Sequence, residues 1–516
     1  MIRYLRFLIF FTCVLFCSAI QIFAQNPEAS QSATGVASSE SVIRLRKIDW
    51  KVTGRTQVFA LRNAAEIRGD EQFATKEEFE LWVAEKRQLL MNQRVLETVT
   101  IDVSYGDKDE TGSIPADILV QVKDTWNIIA LPYPKYDSND GLEFIIKARD
   151  YNFLGTMQPL RFDFGYTIEP EPLSKLDLIK GAFVTEIDSN TPFSALGYTW
   201  NFDFDHYIAY TYQQPFVYWN KTGVSLTLPI GISDLTFGFY QGFFLNAENA
   251  DDYKAQYGER LDGWYLSNWF ESSWSIPTGI KANGWGELKY VPRAIVKYNY
   301  LPGGGDIGDE RRGPTMELGH TLNFGRVDWV GNFRRGLTAS LDNAFTYNIV
   351  DVRWEKTLSA VVAFYAPLSS FLGVSARLTG AAYFDRTNTS AGGALRGIMN
   401  DSVDANYLLF LNMDVPVRVI SFTPSKWFGK QWMRFFDIEQ HWSPFLDVGL
   451  AQNNAETITF SDPILAGGIE VITFSHYMRS LYLRISAGWD LGSALKTKIA
   501  PKVGDMELFI GLNHSY

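Results

Sequence analysis

Large apolar residues alternate with small or acidic residues through much of this 516-residue chain. Successive side chains of a β-strand point to opposite faces, so a two-residue period predicts strands with one apolar and one polar face. In LGYTWNFDFD, residues 196–205, the apolar set is Leu196, Tyr198, Trp200, Phe202 and Phe204, and the opposing set is Gly197, Thr199, Asn201, Asp203 and Asp205. LRFDFGYT, residues 160–167, repeats the pattern.

The alternation permits a soluble sandwich or propeller, because those folds also bury one face of each strand. Two features favour a membrane barrel instead. Aromatic residues make up 15% of the chain and recur near strand ends, where a membrane barrel carries its aromatic girdles. The other face carries small or charged residues rather than lysine and glutamate alone. We therefore expect residues 141–516 to form an antiparallel transmembrane β-barrel of about 16 strands.

The beginning of the chain is typical of a secretory signal. Arg3 and Arg6 precede an apolar run over residues 7–20, which predicts a signal peptide over residues 1–24. A single membrane helix is the alternative. The polar segment 25–41 lacks the basic flank of a stop-transfer sequence, which favours cleavage and predicts a disordered linker there.

Cysteine use and charge narrow the function classes. Cys13 and Cys17 both lie within the expected signal, so a fold outside it must be held by packing or membrane burial rather than by disulfides. A net charge of -11 and a pI near 5.1 argue against a nucleic-acid partner. Beyond residue 24 no uninterrupted apolar run reaches about 18 residues, so we expect no helical membrane span.

The sequence pattern of residues 42–126 predicts a small α+β domain with the element order β-α-α-β-β. Thr75 and Glu78 form the capping box of a helix on which Phe79, Trp82, Val83 and Leu90 share one face. Two alternating strands follow around residues 99–105 and 118–122. The order resembles a POTRA domain, and GRTQ, residues 54–57, resembles that family's turn into its first helix.

Three further stretches resemble the BamA/TamA family of outer-membrane proteins, the bacterial surface antigen group. DYNFLGTMQPL, residues 150–160, resembles the approach to the first barrel strands. LRGI, residues 395–398, resembles the Val-Arg-Gly-Phe motif of a long sixth loop that folds back into the barrel. FLDVG, residues 445–449, resembles the Phe-x-Asp-x-Gly motif of the wall. With the POTRA-like unit, the likeness covers nearly the whole chain after the signal.

The resemblance implies a loop-lock motif and a set of barrel-wall partners. The loop-lock residues are Leu395, Arg396, Gly397 and Ile398, the last standing where the family usually has an aromatic residue. The wall partners are Phe445, Asp447 and Gly449, with Asp414 on the neighbouring strand.

The chemistry of arginine fits this arrangement. A guanidinium confined in a lumen needs carboxylate partners, because an unpaired buried charge is costly. We expect Arg396 to contact Asp447 and Asp414, which would pin the loop inside the barrel. Gly397, which has no Cβ, would let the loop backbone approach the wall. Composition alone favours the alternative, a solvated arginine on an outer loop.

The function implied by the resemblance is insertion or translocation of proteins at the bacterial outer membrane. The first strand, about residues 142–150, and the last, 506–516, would part to admit a client strand. The POTRA-like domain, in the periplasm, would bind clients by adding a strand to its sheet edge. Implied partners are outer-membrane lipid and unfolded outer-membrane or secreted clients, with room for accessory lipoproteins or periplasmic proteins.

Two other function classes stay open. The first is a passive porin or structural surface barrel, which needs neither a POTRA-like domain nor a loop lock. The second is a lipid hydrolase, although the sequence has no Gly-x-Ser-x-Gly elbow and its histidines have no zinc-ligand spacing. Those histidines are His206, His320, His441, His476 and His514. A serine or aspartate within hydrogen-bond reach of a histidine at the membrane boundary would revive the hydrolase. We expect no catalytic residues, metal or cofactor.

Overall fold

The fold is that of a computed structural model. It describes residues 42–512 except 70, 110–111, 138–140, 169–180, 213–214, 247–262, 283–284, 309–310, 454–462 and 500–505. The expected signal peptide and linker, residues 1–41, lie outside the described residues. So do His514 and the last four residues of the expected closing strand.

A small α+β domain precedes the barrel. Its four strands are β1 (Ile43–Thr53), β2 (Gln72–Phe73), β3 (Leu96–Tyr105) and β4 (Ile114–Asp124), and its helices are Val58–Ala65 and Lys76–Asn92. The spatial order is β2-β1-β4-β3, with β1 parallel to β4 and the other pairs antiparallel. The predicted order lacks β2, because a two-residue strand is too short to show alternation.

The second helix begins as the sequence predicts. The Thr75 hydroxyl accepts a hydrogen bond from the Glu78 amide at 3.1 Å, and the Glu78 carboxylate accepts one from the Ala74 amide at 2.9 Å. Such a cap stabilises a helix by about 1 kcal/mol. Phe79 and Leu90 are fully buried against the sheet, with Trp82 and Val83 partly buried beside them.

Within the described residues, nineteen strand segments close into one antiparallel barrel. They are β5 (Ile128–Asp137), β6 (Gly141–Asp150), β7 (Leu160–Ile168), β8 (Ala182–Ala195), β9 (Tyr198–Thr211), β10 (Val217–Ile230), β11 (Ser233–Leu245), β12 (Trp264–Ala282), β13 (Gly286–Tyr300), β14 (Thr315–Val330), β15 (Phe333–Asn348), β16 (Arg353–Pro367), β17 (Gly373–Tyr383), β18 (Tyr407–Asp414), β19 (Val417–Phe422), β20 (Ile438–Gln452), β21 (Ile464–Ser475), β22 (Tyr482–Asp490) and β23 (Glu507–Leu512). Each segment pairs with its neighbour in the sequence except β18 and β19, which both pair with β20, and β23 lies beside β5.

The strand count and the starting point differ from the sequence expectation. The barrel begins with β5 rather than at residue 141, so β6, expected as the first strand, is the second. Because β18 and β19 both pair with β20, they share one position, and the nineteen segments occupy eighteen positions rather than about 16. β5 escaped prediction because Pro132 and Pro134 interrupt its apolar pattern.

The barrel wall is apolar outside and polar inside. Large exposed side chains on the outer face include Phe144, Phe164, Phe183, Phe239 and Leu318. Between the same strands the polar side chains pair with one another. A guanidinium N–H of Arg149 bonds Asp163 at 2.9 Å, and Arg293 bonds Glu317 at 2.9 Å. An outer face of exposed rings around a polar interior is the arrangement of a transmembrane barrel.

Among the described residues, no helix has the length and apolar character needed to cross a membrane.

The small domain sits at one end of the barrel, which we call the near end. Arg68 donates to the carbonyl of Gly231, in the turn between β10 and β11, at 2.6 Å. Asn92 donates to Asp328, at the end of β14, at 2.8 Å. The opposite, far end carries the 384–406 connection and the connection between β13 and β14.

Two sequence motifs meet where the small domain joins the barrel. Residues 150–160 form the near-end turn after β6, and they contact the GRTQ turn of the small domain. Asn152, fully buried, donates to the Thr56 hydroxyl at 2.7 Å. The Gln57 amide donates to the Gly155 carbonyl at 2.8 Å. These bonds fix the small domain directly to the wall.

Gly155→Ala should loosen this junction. Gly155 has φ +76°, and a Cβ there would lie 2.1 Å from the Arg55 carbonyl oxygen. We expect hydrogen–deuterium exchange of the amides in residues 55–57 to accelerate by about tenfold or more, because local opening follows the loss of packing. Mass spectrometry of the protein refolded in vesicles measures the exchange.

Gly197→Ala is the matched control. Gly197 lies in another near-end turn with φ +81°, and nothing stands within 4 Å of its Cβ position. Both substitutions carry the strain of a left-handed backbone, but only Gly155→Ala creates a clash. Equal exchange in the two variants would contradict the assignment of residues 150–160 as a docking turn.

Candidate functional site

The connection between β17 and β18, residues 384–406, packs with its middle part inside the barrel. Short 3-10 turns at Ala391–Ala394 and Asn400–Ser402 shape it. Leu395 and Ile398 are buried against Phe410 of the wall in a small apolar cluster. Ile398, which stands where the BamA/TamA family usually has an aromatic residue, is thus buried in this cluster. The connection is the seventh at the far end rather than the sixth, because more strands precede it than expected.

The side chain of Arg396 lies against Asp447 of β20. The Arg396 backbone amide and Nε both donate to Asp447 Oδ2, at 2.9 and 3.1 Å, and Nη2 donates to Oδ1 at 2.7 Å. Both side chains are buried. Such two-pronged, charge-assisted bonding fixes the guanidinium in position as well as in charge.

Further groups complete the surroundings of Arg396. Its Nη1 donates to Asp414 on β18 and lies 3.5 Å from Glu470 Oε2 on β21. The guanidinium carbon is 4.0 Å from the centre of the Phe445 ring, a cation–π contact. The structure therefore places Arg396 against Asp447 and Asp414, the two contacts expected from the sequence, and against Phe445, another of the four expected wall partners.

Two glycines allow the loop to approach the wall closely. Gly397 has φ +87°, and a Cβ there would lie 2.6 Å from the Trp489 amide nitrogen of β22. A Cβ on Gly449 of β20 would lie 2.6 Å from the Leu395 side chain. Neither position has room for a larger residue. A Cβ on Gly397 would clash with backbone atoms of the wall, and a Cβ on Gly449 would clash with packed apolar side chains.

Sequence reasoning missed the contact between the loop and the last strand. The Gly397 amide donates to the Glu507 carboxylate of β23, which is buried. Glu507 alternates with outward-facing Leu508, so an acidic residue on the lumen face of a closing strand was the available signal. The loop is thereby tied to the strand that closes the barrel.

A second missed pair supports the same region. Arg484 of β22 donates to Glu470 of β21, and both are buried in the lumen. The Asn412 side chain also donates to the loop carbonyl of Ala394 at 3.0 Å. A cavity of about 100 Å³ lies between the locked loop and the near end, lined in part by Arg377, Asp414 and His441.

The histidines do not assemble a hydrolytic site in the part of the chain that the structure describes. The ring of His206 bonds the Tyr218 hydroxyl at 2.7 Å, and that of His320 bonds Tyr290 at 2.6 Å. His441 bonds Glu439 at 2.7 Å. Ser443 lies two residues further along the same lumen face, but its buried hydroxyl bonds no protein group. The described residues contain no cluster of three or more potential metal ligands.

The small domain closes over the near mouth of the barrel through buried and half-buried contacts. Arg94 stacks on the Trp329 ring, with 4.2 Å between guanidinium carbon and ring centre, and donates to the Asn332 side chain at 3.0 Å. Burial lowers the pKa of Arg94 to about 10, which still leaves it charged near neutral pH. From the barrel, Arg479 donates to the carbonyl of Leu96 at 3.0 Å.

Comparison with known proteins gives structural likenesses only. No family model and no curated protein sequence matches the chain. A crystal structure of BamA from Haemophilus ducreyi lacking POTRA domains 1–3 is similar over 91% of this chain and 84% of its own, with 14% identity and a TM-score of 0.38. CdiB from Acinetobacter baumannii is similar over 91% of this chain and 73% of its own, with 14% identity and a TM-score of 0.47. CdiB from Escherichia coli covers 94% of this chain and 92% of its own, with 9% identity and a TM-score of 0.41.

Arg396→Met should destabilise the barrel by about 3–5 kcal/mol, because it leaves Asp447 buried without a counter-charge. The measurement is the free energy of unfolding from urea titration of the protein refolded in vesicles, followed by electrophoretic mobility.

Arg161→Met is the control. Arg161 pairs with Asp188 at the same 2.7 Å that separates Arg396 from Asp447, but these side chains are 55 and 31% exposed, against 3 and 0% in the lumen pair. Its loss should cost only about 0–1 kcal/mol. If Arg396→Met lowers the free energy of unfolding by no more than Arg161→Met does, the lumen pair does not stabilise the barrel.

Proposed function

We propose that the protein is an outer-membrane factor that inserts or translocates client proteins through a lateral opening of its barrel. The observation that carries the proposal is the tie between the locked loop and the closing strand. Gly397 bonds Glu507 of β23 while Arg396 bonds Asp447 of β20. The loop thus holds the strand that borders the seam between the two ends of the barrel sheet.

The seam between β5 and β23 has the features of a weak joint. β23 has six residues, so the seam pairs over six residues at most, whereas β5 and β6 pair over ten. Pro132 and Pro134 have no N–H to donate. Because the backbone groups of alternate residues point toward the same neighbouring strand, both missing donors lie on one side of β5. β5 pairs with β6 over ten residues without a register shift, so that side of β5 is regularly paired. Proline is tolerated in sheets at positions where its nitrogen need not donate a hydrogen bond. We infer that the missing donors face the seam.

Opening of the seam would expose two strand edges, which are templates for another strand. A client strand adding to such an edge gains main-chain hydrogen bonds without strict sequence demands. The Tyr133 hydroxyl, which donates to the Ile510 carbonyl across the seam, would be released on opening. No covalent bond changes in this process, so the proposal needs neither catalytic residues nor a cofactor.

The small domain is a POTRA-like unit in this proposal, and its β3 is the edge on which a client would add. Part of that edge is already occupied. Arg479 from the barrel bonds the carbonyls of Leu96 and Glu97, and Arg87 bonds that of Val99 at 3.2 Å. We infer that a client strand pairs with the remaining stretch, residues 100–105.

Localisation follows from the same proposal. The barrel lies in the outer membrane of a bacterium, with the near end and the POTRA-like domain on the periplasmic side, where clients arrive unfolded. Outer-membrane or secreted proteins are the clients, and accessory lipoproteins or periplasmic proteins could assist. A passive porin is less well supported, because a locked loop occupies the lumen and a seated domain covers the near mouth.

Cross-linking the seam should abolish client insertion. In Tyr133→Cys/Phe509→Cys, a bifunctional thiol reagent joins β5 to β23. We expect the refolded wild type to accelerate folding of a model barrel client into vesicles, and the cross-linked variant to lose that acceleration because the seam cannot part. Client folding is followed by electrophoretic mobility, before and after cleavage of a reducible cross-link.

The control shares one of the two cysteines. Ser486→Cys/Phe509→Cys joins β22 to β23, a pair in direct register that stays together in either state. It should leave the acceleration unchanged. Steady ion conductance without acceleration by the wild type would favour the porin, and equal activity of both cross-linked variants would rule out opening at this seam.

Client binding at β3 should be detectable by photo-cross-linking. A photoreactive residue at Asp102, exposed on the edge strand, should capture an unfolded client, because strand addition brings the client beside it. The same residue at Lys123, exposed on the inner strand β4, should capture several-fold less. Equal yields at the two sites would argue against edge addition.

A further inference from the structure

The near-end connection between β19 and β20 exposes an aromatic patch that neither the lumen site nor the seam explains. It consists of the helix Pro424–Phe428 and the 3-10 turn Gln431–Phe436. Five rings in this segment are between 54 and 64% exposed: Trp427, Phe428, Trp432, Phe435 and Phe436. A cluster of large exposed apolar side chains marks an interaction surface. We call residues 424–436 the aromatic wedge.

The aromatic wedge is held firmly to the barrel. Asp437 accepts hydrogen bonds from the Ser425 amide, at 3.0 Å, and from the Ser425 hydroxyl. The His476 amide donates to the Asp437 carbonyl at 2.9 Å, and Pro424 is buried. These bonds fix the backbone of the segment, so its exposed rings have a defined position on the barrel surface.

The patch continues the apolar outer face of the barrel. The Trp427 ring meets the Phe422 ring edge-on, with centres 5.1 Å apart. Phe422 ends β19, on which Val419 and Ile420 are also exposed. The wedge therefore begins where the lipid-facing surface of the wall ends, at the level where a membrane barrel meets lipid headgroups.

Cations interleave with the exposed rings. Lys426 and Lys430 are exposed and have no ion pair among the described residues, whereas Arg434 pairs with Glu97 at 3.0 Å. Aromatic rings beside free lysines are typical of segments that lie in a membrane interface. The rings insert at the headgroup–acyl boundary, and the ammonium groups meet lipid phosphates.

We propose that the aromatic wedge is a membrane anchor that inserts its rings into the near-end leaflet and binds anionic phospholipid headgroups through Lys426 and Lys430. Lipid is the occupant because the patch is continuous with the lipid-facing wall and its free charges are complementary to phosphate. The inference stands apart from client insertion, since any barrel in lipid would place the wedge at the same level.

The anchor also orients the small domain. On its inner side, Arg434 bonds Glu97 of β3. Phe435 packs on Tyr477 at 4.2 Å between ring centres, and Tyr477 stacks on Trp126 at 6.1 Å. One rigid segment thus contacts both the membrane and the small domain, so the membrane surface sets the position of that domain.

The depth of the wedge in the membrane tests the proposal. A nitroxide is attached at Phe428→Cys in the full chain with Cys13→Ser and Cys17→Ser, refolded in phosphatidylcholine vesicles with phosphatidylglycerol. Collision with oxygen, which partitions into lipid, is compared with collision with a water-soluble nickel complex. We expect the oxygen-to-nickel ratio at residue 428 to exceed severalfold that at Lys51→Cys, which is exposed on β1 of the small domain.

The headgroup contact is tested separately. Quenching of a dye at residue 428 by spin-labelled phosphatidylglycerol should exceed quenching by spin-labelled phosphatidylcholine. Lys426→Gln/Lys430→Gln should remove this preference, and Lys47→Gln/Lys51→Gln, on the small domain, should leave it unchanged. A difference in electrophoretic mobility between unheated and heated samples confirms that each variant is folded.

Three outcomes would overturn the proposal. The first is a water-like collision ratio at residue 428 in vesicles. The second is an equal lipid preference in the wild type and in Lys426→Gln/Lys430→Gln. The third is burial of residue 428 only after addition of an unfolded client barrel, which would make the wedge a protein-docking surface instead.

Discussion

A guanidinium buried inside the barrel is the interaction on which the rest of the structure depends. Arg396 cannot leave water without carboxylates, and Asp447 and Asp414 supply them from two strands of the wall. The bonds draw the far-end connection into the lumen, and the next residue, Gly397, then reaches Glu507 of the closing strand. One charged group therefore couples the loop, the wall and the strand at the seam.

The small domain is coupled to the same wall from the other end. Asn152 and Gly155 of a near-end turn bind the turn that starts its first helix, and Arg94 stacks on Trp329 beside the mouth. The aromatic wedge adds a contact from the membrane side through Arg434. The barrel sheet therefore has contacts at both ends, with the locked loop in the lumen and with the small domain at the near end.

Much of this was readable in the sequence, but unevenly. Alternation predicted the strands, and the Thr75 capping box predicted the start of a helix, because both patterns act over a few residues. The strand at 128–137 was missed because its two prolines break the alternation, and the extra strands made the locking loop the seventh instead of the sixth. Residues 150–160, expected as the approach to the first strands, form the turn between β6 and β7 and also contact the small domain.

The sequence by itself determined which face of each strand is apolar and which residues carry charge, since side-chain direction along a strand is local. It also singled out Arg396, through the resemblance of LRGI, residues 395–398, to a Val-Arg-Gly-Phe motif. Only the tertiary structure decided that Glu470 and Glu507 complete the surroundings of the loop, and that the rings of residues 424–436 are left exposed. Those facts depend on how many strands close the barrel and in what register, which no local pattern encodes.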